Sequence, residues 1–386
     1  MHNKKRYGWG NIEIRWTSTG VLLYTIHKQL FWDRKRAIVR SLIVKMEMIV
    51  MNAAESICSP ITIGNHTLKN RIVVPPMADI ALSIPQGYIN DSLRRRYAAY
   101  AAGGAGLITV EGSNVTFMPD VRDAIALWDD TYIPGLHTLA QTITQNGTLG
   151  LIQIMNIGLK MMKEDTIAAI PKSSFMAYQR DFVQGAIRCW KAGFDGIELH
   201  AAHGYFLNQI VETSDRTDAY GGTLEKRLQY IWEIIEAVKK ACGPAFLVSV
   251  RLGCPTIAAL VQAAQILEQH GADIISVSTG MHNYHDVPAD FPMDSKLYAA
   301  WQVKQHVRIP VIGVGNIRYG QDAVQALTHG YADLIAVGRS HWADPAWTKH
   351  VLEGKEPNHC YRCKPCRWFK NGRDCPARRN AAGNET

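Results

Sequence analysis

Residues 194 to 209 read FDGIELHAAHGYFLNQ, and three of them, His200, His203 and Tyr205, carry side chains able to ligate a metal, relay a proton or simply fill space. Two imidazoles three residues apart can both donate to an oxygen that is gaining negative charge. A phenol two positions further on can act as a general acid. A catalytic zinc site would need a third protein ligand, and His282, His285 and Asp286 in GMHNYHD are the residues that could reach the same place. Packing is the remaining reading. The choice depends on where the end of that strand-like run sits.

Two other stretches point to chemistry. VIGVGNIR (311 to 318) and IAVGRSHWADP (335 to 345) each place a glycine just after an apolar run. Glycine lets backbone N–H groups approach an anion, and Arg339 adds a planar fork suited to phosphate oxygens. The alternative is that these glycines only ease the turn from strand to helix. In the C-terminal tail, HCYRCKPCRWFKNGRDCPARRN spaces Cys360, Cys363, Cys366 and Cys375 as Cys-x2-Cys-x2-Cys-x8-Cys. Three thiolates at this spacing resemble the ligands of an iron–sulfur cluster more than the separated pairs of a zinc ribbon. Zinc and an unmetallated tail stay open.

Eight segments could position these groups. Short runs rich in Val, Ile and Leu occur at 71 to 77, 105 to 112, 149 to 156, 196 to 202, 246 to 253, 274 to 280, 310 to 317 and 334 to 340, separated by amphipathic segments such as EKRLQYIWEIIEAVKKACG. Strands alternating with helices imply parallel pairing through right-handed crossovers. Eight such units match an α/β fold, the closed (β/α)8 TIM barrel, here with a short C-terminal cysteine-rich tail. The open doubly wound sheet usually carries a glycine fingerprint at its first turn, and RIVVPPMADIALS has none. Barrel chemistry collects at the C-terminal strand ends, which is where His200 and His203 fall.

The expected division is a basic N-terminal extension at 1–50, outside the fold, a barrel at 55–356 and the tail at 357–386. Of 42 Lys and Arg against 34 Asp and Glu, ten bases and three acids lie in the first fifty residues, leaving 32 against 31 for the rest. The body is nearly neutral, so no nucleic-acid partner is expected. GVLLYTI is too short for a membrane span and lacks a cleavage-site pattern; translation from Met46, Met48 or Met51 is the simpler explanation of the extension. With no export signal, the eight cysteines are expected to be reduced and the protein cytoplasmic.

DGIELHAAHGYFLNQ, RTDAYGGTLEKR, VSVRLG, VIGVGN and GRSHWADP, in that order from about Ile61 to Gly354, resemble the old yellow enzyme family of FMN-dependent ene-reductases. The similarity is strongest to the branch containing 2,4-dienoyl-CoA reductase and trimethylamine dehydrogenase. The resemblance implies FMN across the strand ends and NAD(P)H as reductant. It implies Gln153 at the flavin pyrimidine ring, Arg251 near N1 and O2, Pro76, Met77 and Gly112 beside the ring, and Gly315, Asn316, Gly338 and Arg339 on the phosphate. His200 and His203 would hold the carbonyl oxygen of an unsaturated carbonyl or enoyl thioester, with Tyr205 supplying the α-carbon proton. That branch carries a 4Fe-4S cluster on a similar cysteine set, with a longer final gap than here. An amine-oxidising enzyme and an electron-transfer module are the alternatives. Electrons are expected from NAD(P)H directly or from an external donor, and oligomerisation is compatible with the sequence.

Several positions depart from the family. Ala78 stands where relatives commonly place Thr or Cys to hydrogen-bond flavin O4, which is expected to lower the flavin potential. Asn156 and Lys160 only approximate the histidine and Gly-Arg pair that follow strand three in relatives. Cys254 is expected to be a buried thiol, and Gly221, Gly222 and Thr223 to form a turn and a helix cap.

Overall fold

The computed structural model describes residues 12–16, 22–26, 56–78, 84–117, 124–158, 165–213, 215–280, 282, 284–367 and 374–378. Within the N-terminal extension, Ile12–Trp16 and Leu22–Ile26 pair antiparallel, with Ile12 opposite Ile26. The rest of residues 1–50 lies outside the described residues, as does Lys160.

Eight parallel strands close into a barrel: β1 (Ile72–Val74), β2 (Leu107–Asn114), β3 (Leu149–Met155), β4 (Gly196–Ala201), β5 (Leu247–Leu252), β6 (Ile274–Val277), β7 (Val311–Val314) and β8 (Leu334–Ala336). Each strand neighbours the next in sequence, and β8 pairs with β1 through Ile335 and Ile72. The expected (β/α)8 barrel is therefore present. The crossover helices include α1 (Asp91–Ala102), α2 (Ile133–Thr144), α3 (Lys172–Lys191), α4 (Leu224–Cys242), α5 (Ile257–Gln269), α6 (Ser295–Lys304) and α7 (Gly320–Thr328).

Local chemistry sets the helix ends. Thr223 caps α4 by accepting from Lys226 N, and Gly243, at φ 86°, ends it. Ahead of that cap, Arg216 pairs with Asp218, donates to the carbonyls of Ile167 and Ile170, and lies over the Phe175 ring. The RTDAYGG segment is thus scaffold, tied down by its own charges as expected.

Side chains alternate along a strand, so every second residue faces the barrel interior. At the N-terminal end that set is apolar: Leu107, Leu149, Leu151, Leu247, Ile274, Ile312 and Leu334 form one cluster with Ile63 and Leu68. The last two come from a hairpin, Ile61–Ile63 with His66–Leu68, that closes this end. Two residues further along the inward registers come Thr109, Gln153, Glu198, Ser249 and Ser276, with Arg251 two beyond Ser249, all buried. A polar layer above an apolar plug marks the C-terminal end as the functional one.

Several strands stop before the apolar runs do. Those at 71 to 77, 274 to 280, 310 to 317 and 334 to 340 leave their ladders at Val74, Val277, Val314 and Ala336. The remaining residues turn outward to line a cleft. On β2 the register shifts between Val110 and Ser113, which carries that strand on to Asn114.

Candidate active site

The segments after β1, β6, β7 and β8 surround a cleft of about 440 Å³ at the C-terminal end of the barrel. Pro75, Pro76 and Met77 form one wall, and Arg251, Ser278 and Gly280 another. Gly315, Asn316, Gly338 and Arg339 meet at one end. Of the residues expected to bind a cofactor, seven therefore face one space: Pro76, Met77, Arg251, Gly315, Asn316, Gly338 and Arg339. Lys296, Arg318 and Arg362 join Arg251 and Arg339 in the lining, with no acidic side chain. Arg251 lies near Glu198 and Lys296 near Asp294, but Arg318, Arg339 and Arg362 have no carboxylate partner among the described residues, which leaves the cleft cationic and suited to an anion.

Hydrogen bonds fix its groups. Arg339 Nη2 donates to Asn316 Oδ1 at 2.5 Å, and Asn316 Nδ2 donates to Asp294, which also caps α6. At Gly338 an added Cβ would make only ordinary contacts, with Met77 Sδ at 3.4 Å and Pro75 Cγ at 3.6 Å, so its protein neighbours do not require glycine there. A ligand approaching the backbone would.

Beneath the cleft, Gln153 Nε2 donates to Glu198 Oε1 at 2.8 Å, Ser249 Oγ donates to Oε2 at 3.4 Å, and Arg251 Nη1 lies 3.9 Å from Oε1. One amide N–H of Gln153 is thereby committed, which fixes the side chain with its carbonyl oxygen beside Gly112 as an acceptor. Burial pushes the Glu198 carboxyl up, opposed by Arg251 and the hydrogen bonds, and burial lowers Arg251 against the pull of Glu198. Ala78, next to Met77, is exposed.

The three residues at the end of β4 are brought together. The His200 and His203 rings lie 5.0 Å apart, edge to face, and Tyr205 lies 4.6 Å from His200. His203 is in the left-handed region, φ 64°, followed by Gly204 at φ 76°. Asn208 holds this turn: its Oδ1 accepts from Gly204 N, and its Nδ2 donates to the carbonyls of Ala201 and Gly253. Gly280 is required here, since a Cβ would come 2.1 Å from His203 Cδ2.

His203 Nε2 lies 2.7 Å from Ser278 Oγ, which accepts from Arg251 Nη2 at 3.2 Å. With Arg251 on one lone pair, the Ser278 hydroxyl can donate to Nε2, which places the imidazole proton on Nδ1. Burial, then His203 and Arg251, hold His200 well below the ordinary histidine range; burial and Arg251 bring His203 down to about 3. Both rings are neutral near pH 7.

Arg251 Nε and His200 Nδ1 are buried without a hydrogen-bond partner. Arg251 lines the cleft and His200 is its register partner on the adjacent strand, so two neighbouring orphaned polar atoms call for a bound polar group. An isoalloxazine ring bearing a phosphate on its side chain fits: it offers acceptors to Arg251 and an anion to the cationic end.

The metal reading of the histidines finds no support. His282 is engaged by Glu212 at 2.7 Å, and among the described residues no three His, Cys, Asp or Glu side chains are placed to hold one metal ion. That includes Cys360, Cys363, Cys366 and Cys375, which are free half-buried thiols, Cys360 and Cys366 on the cleft wall. As arranged, the four do not gather around a cluster. Cys254 is fully buried, with its thiol pushed up to about 12 by burial. Asn156 spends its side chain on Thr116 and Gly158.

Sequence reasoning missed Glu198, Ser278 and Asn208. For Glu198 a signal existed: it lies two residues before His200, on the inward register of β4.

Residues 56–176 and 167–358 match the sequence profile of the NADH:flavin oxidoreductase / NADH oxidase family. A relative described as NADH oxidase, from Thermoanaerobacter brockii, is 34% identical over 337 residues, covering 79% of this chain and 52% of that protein. The chain thus spans about half the length of this curated relative. Among solved structures, a 2-naphthoyl-CoA reductase superposes with a TM-score of 0.70 at 21% identity, covering 82% of this chain and 56% of that one. An old yellow enzyme homologue from Zymomonas mobilis gives 0.68 at 20% identity, covering 79% and 95%. At these identities the structures show a shared fold.

Proposed function

The chain belongs to the NADH:flavin oxidoreductase / NADH oxidase family, and from that premise we propose that it is an FMN-dependent ene-reductase. Its hydride comes from NAD(P)H, and its substrate is a small molecule with a C=C bond activated by a carbonyl or thioester. The observation that carries this reading is the pair of neutral imidazoles beside Arg251, with His200 Nδ1 buried and unpartnered.

FMN, when bound, supplies the hydride acceptor and donor of the reaction. Arg251 would stand at the ring edge that becomes negative on reduction, with a charge that needs no reorganisation. Glu198 and Ser278 hold its guanidinium. Gln153, oriented by Glu198, would present its carbonyl to a ring N–H. Gly315, Asn316, Gly338 and Arg339 would take the phosphate, and Pro76, Met77, Ala78 and Gly112 would flank the ring.

As hydride reaches the β-carbon of an enone, its carbonyl oxygen becomes an enolate oxygen. His200 and His203, as neutral N–H donors, stabilise that oxygen, and Tyr205 gives its phenolic proton to the α-carbon. Amine oxidation develops no such oxyanion and leaves the paired histidines without a task.

On spacing alone, Cys360, Cys363, Cys366 and Cys375 also suit a 4Fe-4S cluster fed by an external donor. Since the structure does not gather them, no step runs through them. Iron and acid-labile sulfide in anaerobically purified protein test this, with four irons per chain expected and none refuting it. Eight free thiols suit a reducing, cytoplasmic setting, and no helix among the described residues is long and apolar enough to cross a membrane.

The experiment is stopped-flow absorbance under anaerobic conditions, mixing NAD(P)H-reduced enzyme with 2-cyclohexenone or with an amine. Reoxidation by the enone, slowed at least a hundredfold in His200→Ala, is the expected result. Reoxidation by neither the enone nor an enoyl thioester would refute the proposal.

A further inference from the structure

We propose that Arg362, carried by the cysteine-rich segment, is an additional arm of the site that binds the flavin phosphate. This rests on the FMN reading above and goes beyond the residues that the family resemblance implies.

Four non-glycine residues among those described have positive φ, and two of them, Asn316 at φ 48° and Arg362 at φ 53°, line this cleft. Arginine gains nothing from the left-handed region, which glycine occupies without cost. Strain kept at a cleft wall is a pointer to function. The tail turns there with Arg362 N donating to Cys360 Sγ at 3.4 Å, and the Arg362 guanidinium reaches across to the Asn316 carbonyl at 3.5 Å. The left-handed turns at Asn316 and Arg362 thus face each other over the end of the cleft where Gly315, Gly338 and Arg339 meet.

Charge supports the same assignment. Among the described residues Arg318, Arg339 and Arg362 have no carboxylate partner, although all three line this end. Three convergent guanidinium groups without an acid match a phosphomonoester dianion, which offers three acceptor oxygens. Because Arg362 sits in the cysteine-rich segment, that segment clamps the phosphate end, and flavin affinity depends on its placement.

The test is FMN titration of deflavinated full-length protein, followed by quenching of flavin fluorescence, for the wild type, Arg362→Gly and Arg362→Lys. Arg362→Gly is expected to weaken binding about tenfold and to flatten its dependence on KCl concentration, as expected when one phosphate contact is lost. Arg362→Lys keeps the charge without the fork and should fall between. Glycine suits φ 53°, so the thermal midpoint of the FMN-free Arg362→Gly protein should equal or exceed that of the wild type. An unchanged Kd overturns the inference. So does weaker binding accompanied by a lower thermal midpoint, which would make Arg362 a structural strut. A wild-type protein that binds no FMN would instead remove the functional reading itself.

Discussion

Replacing His203 by Asn should make the fold markedly less sensitive to acid. His203 titrates near 3 in the native protein, against about 6.5 for an unfolded histidine. A histidine lowered in this way contributes stability that is complete above pH 6.5 and is lost as pH falls towards 3. Each pH unit in that window costs about 1.4 kcal/mol, so at pH 4.5 the loss is about 2.7 kcal/mol. Solvent reaching the half-buried ring trims this to about 2 kcal/mol. Asparagine tolerates φ 64° and can keep a hydrogen bond to Ser278, so little else changes. Urea unfolding of both proteins at pH 7 and pH 4.5 measures the difference. His341, also lowered by burial, acts equally in both proteins and cancels; His200, which His203 itself helps to lower, is partly relieved in the variant, and this widens the difference in the same direction. A wild-type loss between the two pH values that matches that of His203→Asn within 0.5 kcal/mol, roughly the error of comparing two such extrapolations, would refute the reasoning.

Further outcomes follow from the same geometry. Tyr205→Phe should leave NAD(P)H-driven flavin reduction intact while slowing substrate reduction about 100-fold, the lower range for loss of a general acid; equal slowing of both half-reactions would remove Tyr205 from the proton step. Glu198→Gln takes a negative charge from beneath the flavin and should raise its midpoint potential by about 30 mV, a tenfold shift for a two-electron couple, as read by dye-equilibrated titration. An unchanged or lowered potential would show that Glu198 only packs. Ala78→Cys should restore a donor to flavin O4 and raise the potential by about 20 mV, the equivalent of about 1 kcal/mol; equal potentials in the two proteins would contradict this.

The barrel was legible in the sequence because parallel strands buried on both faces read as continuous apolar runs. The same property hid where they stop. VVPPM and VIGVGNI stay apolar after the chain leaves the sheet, since the cleft wall is itself apolar, and only the ladder shows the strands ending at Val74 and Val314. His200, His203 and Tyr205 were visible as reactive side chains at one strand end. Glu198 was one letter in an apolar run, and its importance depends on β3 and β5 placing Gln153 and Arg251 against it. Arg362 lies 46 residues from Asn316, so their approach comes from the path of the tail and not from local pattern.

The most direct test is an anaerobic absorbance spectrum of the 386-residue protein reconstituted with FMN, recorded before and after NADH or NADPH is added. Bound-flavin bands that bleach on addition of reductant, and weaker flavin binding in Arg251→Met, are the expected results. Protein that stays colourless after reconstitution, or flavin that neither nicotinamide reduces, would contradict the proposed function.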